Sequence, residues 1–186
     1  MSGDKNLSNA YFPGVNLAKV NLSKANLGFA NLEEANLSGA NLTGAGLGNA
    51  KLTRANLSGA NLTKARCSYV DAAFANLSGA DLTGANFVGA RLLNANLTKA
   101  NLTGANFIEA ILLSINVQVK LTGANLTGAN FTRAKLGIDG CPRIPTGADL
   151  SEADLSGANF TGADLSGANL KGIKKDAKTK GLPPGV

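Results

Sequence analysis

Few residues in this chain could carry out chemistry, and they do not form a recognisable set. General acid–base catalysis needs a carboxyl group beside a second titratable group in a concave site. The chain has no histidine. None of the carboxylates that stand out has an acid–base partner close in sequence; they are Glu33, Glu34, Asp81, Glu109, Asp149, Asp154 and Asp164. The pattern therefore predicts no catalytic residue.

The two cysteines do not indicate a disulfide framework or a metal site. Cys67 lies in a regular stretch of the sequence and Cys141 in an irregular one, so we expect no bridge between them. Zinc sites need paired Cys or His ligands at short spacings, which are missing from the sequence. Glycine recurs at a fixed interval and forms no phosphate-binding loop ahead of a helix. We expect no metal and no cofactor.

The elements that must position these residues arise from a five-residue repeat. The stretch 35–60 reads ANLSGANLTGAGLGNAKLTRANLSGA, and we name the large apolar residue of each block i, so that Ala35 is i−2 and Gly39 is i+2. Blocks centred on residues 7–117, 121–136 and 150–170 number 32, and Leu or Phe occupies position i in 29 of them. Such self-similarity indicates a repeat architecture.

A period of five fits neither of the regular elements. A helix would spread successive Leu side chains around its circumference, and a flat strand would send them to opposite faces. A chain that turns a corner in every block instead keeps each Leu inward, with the smaller Ala beside it. Asn or Asp at i−1, Ser or Thr at i+1 and Gly at i+2 suit such corners.

Runs such as ANLTG from Ala100 resemble the A(D/N)LXX signature of the pentapeptide-repeat family, and the resemblance covers about Lys5 to Gly172. It implies an all-β fold, a right-handed quadrilateral parallel β-helix with four blocks per coil and about eight coils. We expect one repeat domain over residues 1–172, with a loop insertion at about 139–147, and a basic C-terminal tail over 173–186.

In that geometry residues 20 apart stack on each other. One i−1 column reads Asn16, Asn36, Asn56, Asn76, Asn96 and Asn116, and the column on the preceding face reads Lys51, Asp71 and Arg91. The first predicts a ladder of asparagines and the second an alternation of charges, which stabilises a sheet modestly. Both columns are interpreted as structural.

One region departs from the repeat in a way that predicts a binding surface. Apolar residues stand at outward positions that are elsewhere small, polar or charged; they are Tyr69, Phe74, Val88, Leu93, Ile108, Ile111 and Leu113. An exposed apolar patch on a protein surface often marks a partner site. The alternatives are that the 139–147 loop or the tail covers the patch, or that the substitutions have no consequence.

The ends and the register show further irregularities. Tyr11, Phe12 and Pro13 are expected either to plug the first coil or to leave it free for end-to-end association. Val117 and Leu121 are four residues apart, which predicts a missing residue and a distorted corner. The tail has five Lys against one Asp; Ile173 and Leu182 are candidates for a cap, and weak contact of the lysines with nucleic acid is an alternative.

These features favour a non-catalytic interaction module that binds a protein partner or forms a homodimer through the apolar patch. The family resemblance also implies a second class, proteins that protect DNA gyrase by imitating the shape and negative charge of DNA. Without the tail this chain has 13 basic and 11 acidic residues, which disfavours mimicry. No run of about 20 apolar residues predicts a membrane span. We expect a cytoplasmic protein, or a thylakoid-lumen or periplasmic one if a targeting segment has been removed.

Overall fold

The chain folds into a stack of four-sided coils. A computed structural model describes residues 5–113, 119–137 and 147–186. The i−1 residue of each block pairs in parallel with the i−1 residue one coil later, as Asn6 does with Asn26. These single bridged residues are the strands, and the last bridge joins Asn159 to Lys180. Because bridged partners are 20 residues apart and a block has five residues, four blocks close one coil.

The four sides of the stack are named here by their inward columns. The columns begin at Leu7 for face A, Phe12 for face B, Leu17 for face C and Leu22 for face D. The eight coils, numbered from the N-terminal end, span residues 5–24, 25–44, 45–64, 65–84, 85–104, 105–128, 129–157 and 158–177.

Each corner is a β-turn that the repeat sequence stabilises locally. The amide of Ala25 donates to the carbonyl of Leu22, three residues earlier, at 3.0 Å, and the same bond recurs along the chain. Position i+2 has a positive φ, 62° at Gly39, as the third residue of a type II turn requires. The Oδ1 of Asn36 accepts from the N–H of Ser38 at 3.1 Å. The polar residue at i−1 thus satisfies the backbone at i+1 and fixes the corner.

The register changes twice, and the first change corrects an expectation. Bridges join residues 20 apart up to Arg91↔Ile111, but Asn96 pairs with Lys120, 24 residues later. Coil 6 therefore contains four extra residues, where the sequence predicted one missing residue. Lys120, and not Asn116, follows Asn96 in the face C column; Asn116 and Val117 lie outside the described residues.

The second change is the insertion predicted at 139–147. Lys120 pairs with Asp149, 29 residues later, so coil 7 has nine extra residues. The chain leaves the coil after Gly137 and rejoins it at Gly147, and both of these glycines are buried. The loop itself, including Cys141, lies outside the part of the chain that the structure describes. Both insertions occupy the corner between faces B and C.

A continuous apolar column fills the stack. Leu and Ala at the inward positions of coils 2 to 7 are almost all fully buried. Four rings stack on face A: Phe87 and Phe107 have centroids 5.0 Å apart, Phe107 and Phe131 4.9 Å, and Phe131 and Phe160 5.1 Å. Cys67 lies in the same column, inward as predicted, and burial raises the pKa of its thiol to about 12. That thiol is inert at neutral pH.

The two ends of the column are less covered than its middle. Leu7, Phe12 and Leu17 of coil 1 pack against the core but are only half-buried. Tyr11 is 75% exposed, so it does not plug the first coil. At the other end Ile173 and Leu182 are half-buried against the core.

Candidate interaction surface

The seven residues of the predicted apolar patch come together on face B and its two edges, over coils 4 to 6. On the edge shared with face A, Tyr69 N donates to Val88 O at 2.9 Å, and Gly89 N donates to Ile108 O at 3.0 Å. These bonds place the side chains of this edge in consecutive coils.

The edge that face B shares with face C repeats the arrangement. Phe74 N donates to Leu93 O at 2.7 Å, and Asn94 N donates to Leu113 O at 3.3 Å. Ile111, the seventh residue, lies between the two edges in the i−1 column of face B. The name face B patch is used below for these seven residues.

A charged pair lies at the centre of the face B patch. Asp71, Arg91 and Ile111 are bridged in one column, and Arg91 Nη1 lies 3.7 Å from Asp71 Oδ2. The Arg91 and Asp71 side chains are 55% and 33% exposed, so the pair contributes little stability. Lys51, the third member of the predicted charge alternation, has no ion pair among the described residues. The patch is therefore apolar at its edges and polar in the middle.

Two aromatic side chains dominate the exposed surface of the face B patch. Tyr69 is 62% exposed and Phe74 51% exposed. The five aliphatic residues, predicted to point outward, are half-buried, because neighbouring coils shelter the i+1 position. Tyr69 and Phe74 are therefore the residues most available to a partner.

The backbone at both aromatic residues adopts a conformation that favours glycine. Tyr69 has a φ of 56° and Phe74 of 59°, in the left-handed region that costs a bulky residue on the order of 1–2 kcal/mol. The Tyr69 ring covers Gly89, where an added Cβ would lie 2.4 Å from the ring. Arg54 Cζ lies 5.6 Å from the centroid of the Phe74 ring. These contacts leave both rings more than half exposed.

A further exposed aromatic residue was not predicted from the sequence. Phe29 is 63% exposed and has a φ of 58°. It stands at i+2 on the same edge as Tyr69, two coils earlier, and its place in that column was the available signal. Tyr11 is also exposed, at the end of the stack.

The carboxylates at the corners accept local hydrogen bonds. The hydrogen bond from the Thr83 side chain lowers the pKa of Asp81, and that from Ser156 lowers the pKa of Asp154. At Asp149 burial raises the pKa, but the hydrogen bonds together outweigh it and lower the pKa. These groups are ionised at neutral pH and serve the corners. In the described ranges no helix is long and apolar enough to cross a bilayer.

Acid should destabilise the fold below about pH 4. The folded-state pKa values of Asp81, Asp149 and Asp154 lie below the unfolded value of about 3.9. The stabilisation is therefore complete above that pH and is lost as the pH falls through the folded-state pKa values. Urea unfolding at pH 7 and pH 3 measures the loss. Asp81→Asn keeps the acceptor oxygen without titrating and should show a smaller pH dependence; an unchanged dependence would refute the role of Asp81.

Residues 6–39, 40–72, 75–112, 117–137 and 146–174 match the family described as pentapeptide repeats, in eight copies. The chain belongs to the pentapeptide repeat family. This membership confirms the predicted all-β fold, a right-handed quadrilateral β-helix of about eight coils. A comparison with curated proteins found no match.

Solved structures include pentapeptide repeat proteins similar to this one. HetL, involved in heterocyst differentiation regulation in the cyanobacterium Nostoc sp. strain PCC 7120, is 30% identical over 91% of this chain and 86% of HetL, with a TM-score of 0.39. A protein from the Arabidopsis thaliana thylakoid lumen is 33% identical over 57% of this chain and 67% of that one, with a TM-score of 0.30. QnrB1, a plasmid-mediated fluoroquinolone resistance protein, is 20% identical over 94% of this chain and 84% of QnrB1, with a TM-score of 0.52. At that identity the likeness concerns the fold alone.

Proposed function

We propose that this pentapeptide repeat protein is a non-catalytic binding module, and that the face B patch takes up a protein partner or a second copy of the chain. The observation that carries the proposal is the pair Tyr69 and Phe74, exposed by 62% and 51% in left-handed backbone. Glycine would fit both positions without strain. The aromatic side chains thus cost the folded chain energy and bury little surface in return, which supports a role in binding.

The rest of the rod supports the same proposal. Its inward side chains form a packed column, so the molecule offers surfaces and not an enclosed cleft. Aromatic residues are enriched at the centres of protein interfaces. HetL, a relative involved in heterocyst differentiation regulation, is in keeping with a role through binding.

The double variant Tyr69→Gly/Phe74→Gly tests the proposal. It should fold and be at least as stable as the wild type, because relief of the left-handed strain offsets the lost ring contacts. Solution mass should fall from dimer to monomer if the partner is a second copy. If both proteins are monomers, a purified partner retained by the wild type should lose at least tenfold in affinity for the variant.

The matched control is Lys19→Gly/Lys99→Gly, which relieves the same backbone strain at the corner of face C, where φ is 59° and 58°. This control should bind and associate as the wild type does. The proposal fails if the aromatic variant, folded by circular dichroism, keeps wild-type mass and partner affinity.

Imitation of DNA is the weaker candidate. The acidic residues are interleaved with basic ones, as in the ion pair between Glu109 Oε1 and Arg133 Nη2 at 2.7 Å. A DNA mimic needs a continuous negative surface, and the chain has a net charge of +6. The cytoplasmic location stays a prediction, which cell fractionation would test.

A further inference from the structure

A groove crosses face A at coil 3, away from the centre of the face B patch. The sequence Gly44-Ala45-Gly46-Leu47-Gly48 places glycine at three outward positions in a row. The groove has a volume of about 750 Å³ beside Lys24, Gly44 and Arg66. It adjoins a smaller hollow of about 280 Å³, which Phe29, Gly46 and Gly48 help to line.

Two backbone donors in this groove lack the acceptor that other corners have. Where Asn or Asp stands at i−1, its Oδ1 accepts the N–H of i+1; Asn26 does so from Gly28 at 3.1 Å and Asn86 from Val88 at 3.1 Å. Coils 3 and 4 have Gly46 and Arg66 at i−1 instead. The N–H groups of Gly48 and Ser68 consequently have no hydrogen-bond acceptor among the residues that the structure describes.

The charges around the groove are all positive. A Cβ added to Gly46 would lie 3.2 Å from Arg66 Nη2, so the guanidinium extends over the missing side chain. A Cβ added to Gly44 would lie 3.8 Å from Lys24 Cγ. Face A and its edge with face D carry no Asp or Glu in coils 1 to 4. Arg66 has no ion pair within the described ranges.

We propose that this groove binds an extended peptide segment in which an acidic residue is followed by an apolar one. A carboxylate oxygen of the peptide takes the place of the missing Asn Oδ1, accepts from Gly48 N–H and pairs with Arg66. The apolar residue lies against Phe29, which is 63% exposed at a position where glycine would be unstrained. This second site is independent of the face B patch.

The positions of the groups favour a peptide over a free anion. Lys24 lines the larger part of the groove and Phe29 the smaller part, with Arg66 lining both. An inorganic anion would use the two cations and leave Phe29 without a role. Charge-assisted hydrogen bonds to backbone N–H and guanidinium groups suit a carboxylate, and an adjoining exposed ring suits an apolar neighbour.

The test is an NMR titration of the full chain with the peptide acetyl-Gly-Asp-Leu-Gly-amide. The amide signals of Gly48 and Ser68 should shift, and the affinity should fall as salt rises. Gly46→Asn supplies the missing Oδ1 from the chain itself and should weaken binding about tenfold or more. The only atoms within 4 Å of its Cβ belong to the Arg66 and Asn26 side chains, so this variant should fold and be slightly more stable than the wild type.

Three control variants distinguish peptide binding in this groove from binding elsewhere on the rod. Lys51→Asn adds the same kind of side chain at i−1 of face B and should leave peptide binding unchanged. Phe29→Gly should weaken binding of the peptide but not of inorganic phosphate. Tyr69→Gly/Phe74→Gly should bind the peptide normally, so failure of the face B proposal and failure of this one are distinguishable.

Three outcomes would overturn the proposal. The first is wild-type peptide affinity in folded Gly46→Asn. The second is no shift of the Gly48 and Ser68 amides at millimolar peptide. The third is binding of inorganic phosphate or of an oligothymidine that Gly46→Asn abolishes, while the peptide does not bind.

Discussion

Replacing Phe107 with alanine should lower the free energy of unfolding by about 3–5 kcal/mol. The ring is fully buried between Phe87 and Phe131, with centroid distances of 5.0 and 4.9 Å and planes within 3° of parallel. Its removal leaves a cavity in a column that neighbouring coils cannot close, because their backbones are bridged at every side. Both flanking rings also lose a stacking partner. The effect is large because each coil is stabilised mainly by the coils next to it.

Denaturant unfolding of Phe107→Ala beside Phe29→Ala measures this effect. The control makes the same chemical change at a ring that is 63% exposed, so we expect a change of about 1 kcal/mol or less there. Unfolding free energies for the two variants within about 1 kcal/mol of each other would contradict the packed column of rings.

Gly147→Ala should destabilise the protein by about 3 kcal/mol. An added Cβ would lie 2.3 Å from Ala168 N and 2.3 Å from Gly167 C, which are backbone atoms of the next coil. That backbone is held in place, since Ala168 N donates to Leu165 O at 3.0 Å and Asn169 N donates to Ala148 O at 3.0 Å. The clash is therefore relieved only by moving coil 8 away from coil 7.

Gly48→Ala is the matched control for this second prediction. Its φ is not in the left-handed region, and the nearest atom to its Cβ is Ser68 O at 3.8 Å, so its stability should stay within about 0.5 kcal/mol of the wild type. Hydrogen exchange of Gly147→Ala should show faster exchange at Asn169 and at Lys174, which bonds to Ala153. Uniform exchange along the stack would contradict a local opening between these coils.

The period and residue types were enough to predict the architecture. Each position in a block meets one physical requirement: a large apolar side chain at i, an acceptor at i−1 and tolerance of positive φ at i+2. Those requirements predicted the inward Cys67 and the local hydrogen bonds of Asn36 without knowledge of any distant contact. In a solenoid the pattern is repeated, so local chemistry determines most of the fold.

Register was the part that the sequence could not supply. Asn116 and Val117 imitate a block, and a block is compatible with any register. The bond from Leu97 N to Lys120 O, 2.7 Å long, is what places Lys120 in the column. Only the pairing of one coil with the next distinguishes a missing residue from an insertion.

The candidate sites were predicted only in part, for a related reason. Outward position predicted the exposure of Tyr69 and Phe74, but not the shelter that adjacent coils give to Leu93 and Ile108. Gly46 conforms to a glycine-rich sequence, so its missing side chain was not noticed. The unsatisfied N–H of Gly48 becomes visible only when each backbone donor is followed to its acceptor.

The corner between faces B and C has a consequence for how such a chain can change in length. It receives four extra residues in coil 6 and nine in coil 7, yet bridges resume on all four sides after each. Lengthening an existing loop costs little, since each doubling adds only about 0.6 kcal/mol of closure entropy. This corner is therefore the place where foreign segments can be grafted for display, or where relatives can acquire new recognition loops, while the rod keeps its pitch.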